Sequence, residues 1–152
     1  MPPDNSANLI PQNLVTAGWK LHDLSGHMGH TGPLWSLASG DGLWRYGLLL
    51  EAKHLNPAGV VHGGVLLTLA DHAMSAVAWQ HSQRQPCVTV QLDSQFVASA
   101  KAGDFVVCDA QITHSTRSMV FVRAQLWVQA QLLLNAQGIM KVLTAKTSAT
   151  HE

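Results

Sequence analysis

The chain is predicted to fold as an α+β domain, an antiparallel sheet of five to six strands wrapped on one long central helix. Three observations carry that expectation. The stretch from about Val60 to His81 repeats apolar residues at helical spacing. Several stretches after Pro86 alternate apolar and polar residues with the period of a strand. Short turns join those strands, which suits antiparallel pairing with the helix laid on the apolar face.

Taken in order, Met1 to Asn8 is a polar, Pro-containing arm with neither a basic n-region nor an apolar h-region. It does not read as a secretory signal, and a cytoplasmic location is expected. Asn13 to Leu24 carries Leu14, Gly18, Leu21 and Leu24 at loosely helical spacing, which predicts a short helix ended by Ser25-Gly26. Ser25 to Gly42 is Gly-rich and linker-like. Pro33 to Ala38 reads as a short strand. Leu43 to Leu50 reads as a stronger one, bounded by Gly40-Asp41-Gly42 and by the turn signal Asn56-Pro57. This divides the chain into an N-terminal arm with a short helix, residues 1–24, and a single domain over residues 25–152.

In the long helix Leu66, Leu69, Ala70, Ala73, Met74 and Val77 share a face, and no proline interrupts the run between Pro57 and Pro86. Val88, Val90 and Leu92 then alternate with Thr89, Gln91 and Asp93. Val106, Cys108, Ala110 and Ile112 repeat the pattern after Gly103-Asp104. Val120, Val122, Ala124, Leu126, Val128 and Ala130 face one way while Arg123, Gln125, Gln129 and Gln131 face the other, as in a strand wet on one side. Asn135 to Gly138 reads as a turn into a last strand, Ile139 to Thr147.

Composition narrows the function classes. The 152 residues are 47% hydrophobic and only 12% charged, about half the charge usual in soluble domains, so part of the surface is expected to be covered in an oligomer. Lys+Arg 9 balance Asp+Glu 9 with no basic run, which argues against nucleic acid and against an anionic membrane surface. No run of about 20 apolar residues is present. Cys87 and Cys108 stand apart in strand-like sequence, without a C-x-x-C, and read as small hydrophobes.

Between Lys53 and Arg84 the only formally charged residue is Asp71, in the middle of the helix. The outer helix face offers Gly64, Leu67, Thr68, Asp71 and Ser75, too few charges for a solvated face, so the helix is expected to be covered on both sides, the second cover being another subunit. Asp71 has two readings: an interior carboxylate satisfied by local hydrogen bonds, or a site carboxylate at a cleft. His62-Gly63-Gly64 precedes the helix. Two glycines at its first turn either leave backbone N–H groups open to a ligand oxyanion or make a turn packed tightly on the sheet.

Taken together, N-P-A-G-V-V-H-G-G-V-L-L-T-L-A-D-H-A, from Asn56 to Ala73, resembles the signature of hotdog-fold acyl-CoA thioesterases of the phenylacetic-acid-pathway (PaaI-like) type. The match ties Asn56, His62, Gly63, Gly64 and Asp71 in the family's order and continues through Pro86 to Phe96. Similarity of strand pattern alone extends over roughly Pro33 to Thr147, and the hotdog arrangement is the simplest fit to the order of elements. The resemblance implies that Asp71 acts as nucleophile or as the base that activates water. It implies that the Gly63 N–H and the Asn56 amide polarise the thioester carbonyl, as donors at a helix N-terminus are suited to do. Thr89 stands where many relatives have Ser and keeps the hydroxyl that positions water. His62 and Gly64 border the substrate, His62 shaping the loop without acting as a base.

No cofactor and no metal is expected. His27 and His30 lie in the Gly-rich stretch, and the other histidines lack ligand spacing. Trp19, Trp35, Trp44 and Trp79 read as core or interface anchors, one or two of which could line an acyl pocket. Arg117 and Arg123 flank a hairpin, where solvated turn charge or contact with coenzyme A phosphates are the two readings. A G-x-S-x-G elbow is absent, which excludes an α/β-hydrolase. The expected function is hydrolysis of a small or medium acyl-CoA, aromatic groups included, by a homodimer or homotetramer whose active sites lie at the subunit interface. The rivals are a hotdog dehydratase or hydratase, whose H-F-P context this chain lacks, and a non-catalytic acyl-CoA binding module.

Overall fold

The computed structural model describes residues 9–40 and 42–144; the arm from Met1 to Asn8, Asp41 of the first turn and the expected strand end at Thr147 lie outside the described residues. Along the chain run α1 (Leu9–Thr16), β1 (Lys20–His22), α2 (Gly26–Thr31), β2 (Leu34–Ala38), β3 (Trp44–Leu49) and a 3-10 turn (Ala52–His54). Then follow α3 (Gly63–His81), β4 (Cys87–Phe96), β5 (Phe105–Ser115), β6 (Met119–Val128) and β7 (Gln131–Val142). The strands form one seven-stranded sheet in the order β1-β2-β3-β5-β6-β7-β4, antiparallel throughout. The expected α+β layout, a sheet wrapped on one long helix, holds, with more strands than the five to six expected.

Helix α3 lies on the inner face of this sheet and buries Leu66, Leu69, Ala70, Ala73, Met74, Val77 and Ala78, the face its spacing predicts. Opposite stand Val106, Cys108 and Ala110 of β5, Val120, Val122, Ala124 and Leu126 of β6, and Leu134, Ala136 and Met140 of β7. Each fully buried Leu or Met contributes on the order of 1.5–3 kcal/mol. Burial also pushes the Cys108 thiol pKa up, so it stays neutral and behaves as a hydrophobe. After His81 the chain leaves the helix through Ser82, with Gln83 and Arg84 at positive φ of 55° and 64°. None of the described helices is long and apolar enough to cross a membrane.

Four expectations about the elements are corrected. The helix predicted over Asn13 to Leu24 sits earlier, at α1, because Gly18 takes φ +94° and ends it. Trp19 then turns inward to meet the Phe105 ring edge-on, 5.0 Å between centroids, and Lys20–His22 becomes an edge strand on β2, so the sheet begins before residue 25. The Gly-rich stretch after Ser25 holds a short helix, α2. The turn expected at Asn135 to Gly138 is mid-strand, and the hairpin comes at Gln129, which has φ 52°. Asn135 accepts from the Gln125 amide across the outer sheet face at 2.8 Å. Gly138 is there for space: a Cβ would lie 3.0 Å from both the Gln91 carbonyl and the Met74 sulfur.

The fourth correction concerns β4. It does not pair with β5, its neighbour in sequence, but crosses to the far edge and pairs with β7. A register shift between Thr89 and Gln91 breaks its alternation. Before the shift Thr89 pairs with buried Met140; after it Leu92 pairs with Gly138 and Ser94 with Ala136, so the inward set changes from odd to even positions. Val88 and Val90, expected on the apolar face with Leu92, are therefore 43% and 53% exposed. The sheet delivers one face of this edge strand to the middle of α3, where Thr89 meets Asp71.

Candidate active site

Helix α3 starts with its own cap. His62 has extended backbone, φ −67° and ψ 131°, and its Nδ1 accepts the Gly64 N–H at 2.9 Å. That bond fixes the ring as an acceptor at Nδ1 and spends the Gly64 N–H. The Gly63 N–H, one position earlier, has no partner within the helix and carries the positive end of the helix dipole. Both glycines sit close against a neighbouring side chain. A Cβ on Gly64 would come 3.0 Å from His62 Nδ1, and one on Gly63 would come 3.0 Å from the Phe96 ring.

The loop before the helix is closed by Asn56. Its Oδ1 accepts from the Ala58 N–H at 2.9 Å and from the Val60 N–H at 3.4 Å, while its backbone N–H donates to the Val60 carbonyl at 2.8 Å. Because both contacts to the side chain are donors, the oxygen must face the loop, and the amide NH2 is turned away from it. His54, which the sequence patterns did not single out, holds this loop from below. It is buried, its Nδ1 accepts from the Glu51 N–H at 2.8 Å, and its Nε2 donates to the Thr31 carbonyl at the end of α2. The His54 carbonyl in turn accepts the His62 N–H at 2.8 Å, so α2 and the helix cap share one anchor.

Asp71 lies two turns further along α3, half-buried, facing β4. The Thr89 hydroxyl donates to Asp71 Oδ1 at 2.5 Å, a length typical of a charge-assisted bond to a carboxylate. Thr89 Oγ1 also lies 3.4 Å from Met140 Sδ, but it has one proton, and the short contact claims it. Asp71 Oδ2 remains for a water or a substrate atom, and the Thr89 oxygen keeps lone pairs that can accept from the same water. Asp71 is half-buried and not interior, with Thr89 exposed beside it.

The next residue, His72, packs edge-on against Tyr46 at 5.3 Å between centroids. Burial lowers the His72 pKa, Asp71 opposes that by its charge, and His22 adds to it. On the outer helix face, expected to need another subunit, α2 supplies part of the cover: His27 Nε2 lies 3.1 Å from Thr68 Oγ1, and Met28 packs on the core. The stripe through Asp71, Ser75 and Trp79 is left less covered, with Trp79 40% exposed. Arg123 bonds Gln111 at 2.7 Å on the outer sheet face.

The structure thus gathers the six expected residues in two groups. Asn56, His62, Gly63 and Gly64 form the helix entrance, and Asp71 with Thr89 forms a pair at mid-helix. Eight residues separate Gly63 from Asp71, an axial distance of ~12 Å. One carbonyl group cannot reach both in a single chain. Phe96 was legible only as the end of a strand; its place over Gly63 follows from the β4 register shift.

A family model described as the thioesterase superfamily matches residues 58–134, a span that includes both glycines, Asp71 and Thr89. A Pseudomonas aeruginosa protein provisionally named as an esterase, PA0474, is 34% identical over 93 residues, 60% of this chain and 69% of that protein. Mouse acyl-coenzyme A thioesterase 13 is 31% identical over 90 residues, 59% of this chain and 64% of the relative, just under two thirds of its length. Among solved structures, that of conserved protein PA5202 from Pseudomonas aeruginosa superposes with a TM-score of 0.72 at 27% identity, over 79% of this chain and 95% of that one.

Proposed function

The chain belongs to the thioesterase superfamily and is a thioester hydrolase of hotdog fold, and from that premise we propose that its substrate is the coenzyme A thioester of a small or medium acyl group, aliphatic or aromatic. The observation that carries the reading is the Thr89–Asp71 pair, a half-buried carboxylate held by one hydroxyl, together with the open N–H at the start of the same helix. The name of the mouse relative supports coenzyme A as the thiol.

In this reading the Gly63 N–H and the Asn56 amide donate to the thioester carbonyl, where negative charge develops during attack. Asp71 serves as base, taking a proton from a water whose oxygen attacks the carbonyl carbon, or attacks that carbon itself. Thr89 holds the carboxylate in aim. The tetrahedral intermediate collapses with loss of the C–S bond, and the thiolate leaves as coenzyme A, taking up the proton released from water; where Asp71 itself attacked, water then hydrolyses the mixed anhydride to the free acid and restores the carboxylate. His62 and Gly64 keep the helix entrance in shape beside the substrate.

The ~12 Å between Gly63 and Asp71 requires the two groups at one carbonyl to come from different chains. The proposed active unit is therefore a homodimer, or a homotetramer built from such dimers, in which Asp71 and Thr89 of one protomer face Gly63 and Asn56 of its partner. Exposed Val88 and Val90 on the edge strand β4 are apolar surface that such pairing covers.

A panel of acyl-CoA substrates with detection of the released thiol tests the proposal. Release of coenzyme A is the expected result. Water addition across an enoyl-CoA without thiol release would assign the fold to a hydratase instead, and tight binding without turnover to a binding module.

A further inference from the structure

Among the described residues His54 is the only histidine or charged side chain that is buried, 2% exposed, and the chemistry proposed above leaves it without a task. An apolar side chain of that size would fill the same space. What the ring adds is two directed bonds. Its Nδ1 accepts the Glu51 N–H at 2.8 Å and closes the 3-10 turn, within which the His54 N–H also donates to the Glu51 carbonyl at 3.0 Å. Its Nε2 donates to the Thr31 carbonyl at the end of α2. Only a ring with its single proton on Nε2 makes both bonds, so the side chain is held in one tautomer and one orientation.

The helix entrance hangs on the backbone that this ring fixes. The His54 carbonyl accepts the His62 N–H at 2.8 Å, and the following peptide, between His62 and Gly63, carries the Gly63 N–H. In the other direction Asn56 comes two residues after His54, across Leu55, which is bridged to Val61. Both donors proposed for the thioester carbonyl therefore lie within two positions of a residue that His54 holds. Helix α2 braces the same entrance from outside. Lys53 Nζ donates to the Gly32 carbonyl at 2.6 Å, His27 Nε2 lies 3.1 Å from Thr68 Oγ1, and the Thr68 hydroxyl donates to the Gly64 carbonyl at 2.9 Å. A buried and fully bonded polar network of this kind rigidifies what it joins. Rigidity matters at this place, because a misplacement of about 1 Å at a reacting centre can cost roughly 10²-fold in rate.

We propose that His54 is a positioning residue of the hydrolysis: its ring locks the 3-10 turn and α2 together, and its carbonyl, through His62, aims the Gly63 N–H. The inference rests on the reading above in which that N–H and the Asn56 amide donate to the thioester carbonyl. His54 itself touches no reacting atom. The donors meet more negative charge in the transition state than in the bound substrate, so disturbing their aim lowers kcat and spares KM.

The test measures kcat and KM separately on the full-length protein, with the acyl-CoA of the panel that wild type hydrolyses fastest. The variants are His54→Leu, His54→Asn, His54→Gln, Gly63→Val and the double variant of His54→Leu with Gly63→Val. Leu keeps the bulk and neither bond. The Asn amide reaches the position of Nδ1 and keeps the turn, whereas the Gln amide reaches that of Nε2 and keeps the tie to α2. His54→Leu should lower kcat by about 10- to 100-fold with KM within about threefold of wild type. His54→Asn should recover most of that loss and His54→Gln less, because the turn carries the backbone that meets His62. Added to Gly63→Val, His54→Leu should cost little more, since the donor it aims is already blocked. A folded His54→Leu with wild-type kcat, or a loss that multiplies with that of Gly63→Val, overturns the positioning role and leaves the donor reading standing. Where His54→Leu does not fold, a higher kcat in the Asn than in the Gln variant supports the role, and equal values overturn it. Near-normal turnover of Gly63→Val, or a wild type that releases no coenzyme A, removes the donor reading and this inference with it.

Discussion

The Thr89 hydroxyl donates to the Asp71 carboxylate at 2.5 Å, joining the edge strand of the sheet to the middle of the central helix. The contact exists because β4 crosses to the far edge and its register shift comes immediately after Thr89, so that this residue still faces the helix. A hydrogen bond to a charged group is worth about 1.5–3 kcal/mol, which bounds what its loss can do to the rate. Thr89→Val is expected to lower kcat by roughly 10- to 100-fold. Thr89→Ser, which keeps the hydroxyl, should remain within a few-fold of wild type. A fully active Thr89→Val would show that the pair is structural.

Gly63→Val acts at the other group. Its Cβ meets the Phe96 ring at 3.0 Å, but that ring is 53% exposed and has room to swing aside, so the variant should fold. The added bulk blocks the approach to the Gly63 N–H. Removing one such donor typically costs about 10²- to 10³-fold in turnover. Circular dichroism with steady-state kinetics checks both halves of the expectation, and near-normal turnover would place the carbonyl elsewhere.

Gly63→Val combined with Asp71→Asn tests the shared site. Mixed at equal amounts after unfolding and refolding together, the Gly63→Val and Asp71→Asn variants should regain about a quarter of wild-type activity, because half the dimers then carry one intact site. Either variant alone should stay inactive. If mixing restores nothing while light scattering shows a dimer, the two groups do not meet across an interface. A fully active monomer would remove the shared geometry altogether.

The helix and its motif were legible because they are local. Leu66, Leu69, Ala70, Ala73, Met74 and Val77 encode one face without reference to the rest of the chain, and all of them are buried. Asp71 stood out by its isolation, and the roles of Asn56, Gly63 and Thr89 came from resemblance. What was not legible depends on pairing between distant segments. Asn135 and Gly138 look like a turn, yet one bonds Gln125 on the outer face and the other makes room for Met74. A single register shift at Val90 reversed which residues of β4 face inward, and no periodicity marks it in advance. Buried His54 is a further case, since its partners Thr31 and Glu51 come from two different segments.

His72 gives the protein a pH-dependent stability. Burial lowers its pKa in the folded chain, partly offset by Asp71 and reinforced by His22. Its unfolded value is near 6.5. Between that pH and the lower folded value, the unfolded chain binds a proton that the folded chain does not, so stability falls as pH drops through this window and levels off below it. Melting temperatures from neutral to acid pH should show this loss, and a folded His72→Asn variant should lose less over the same window. An identical slope in both would assign the acid sensitivity to other groups.

Asp71→Asn should nearly abolish hydrolysis while leaving binding of coenzyme A. The amide keeps the shape of the carboxylate and can still accept from Thr89, yet it can neither take a proton from water nor attack a carbonyl carbon. Other candidates are poorly placed. Asp93 accepts from the Gln91 amide at 2.6 Å on the outer sheet face, and Asp104 caps a turn by accepting the Lys101 N–H at 3.0 Å. Cys108 is held neutral in the core. A purely structural Asp71 makes a different forecast: an Asn variant with a lowered melting temperature whose folded fraction keeps its turnover number. Turnover per folded site, measured beside the melting temperature, separates the two. A stable protein that binds coenzyme A and does not hydrolyse establishes the chemical role, and an unstable one that still turns over refutes it.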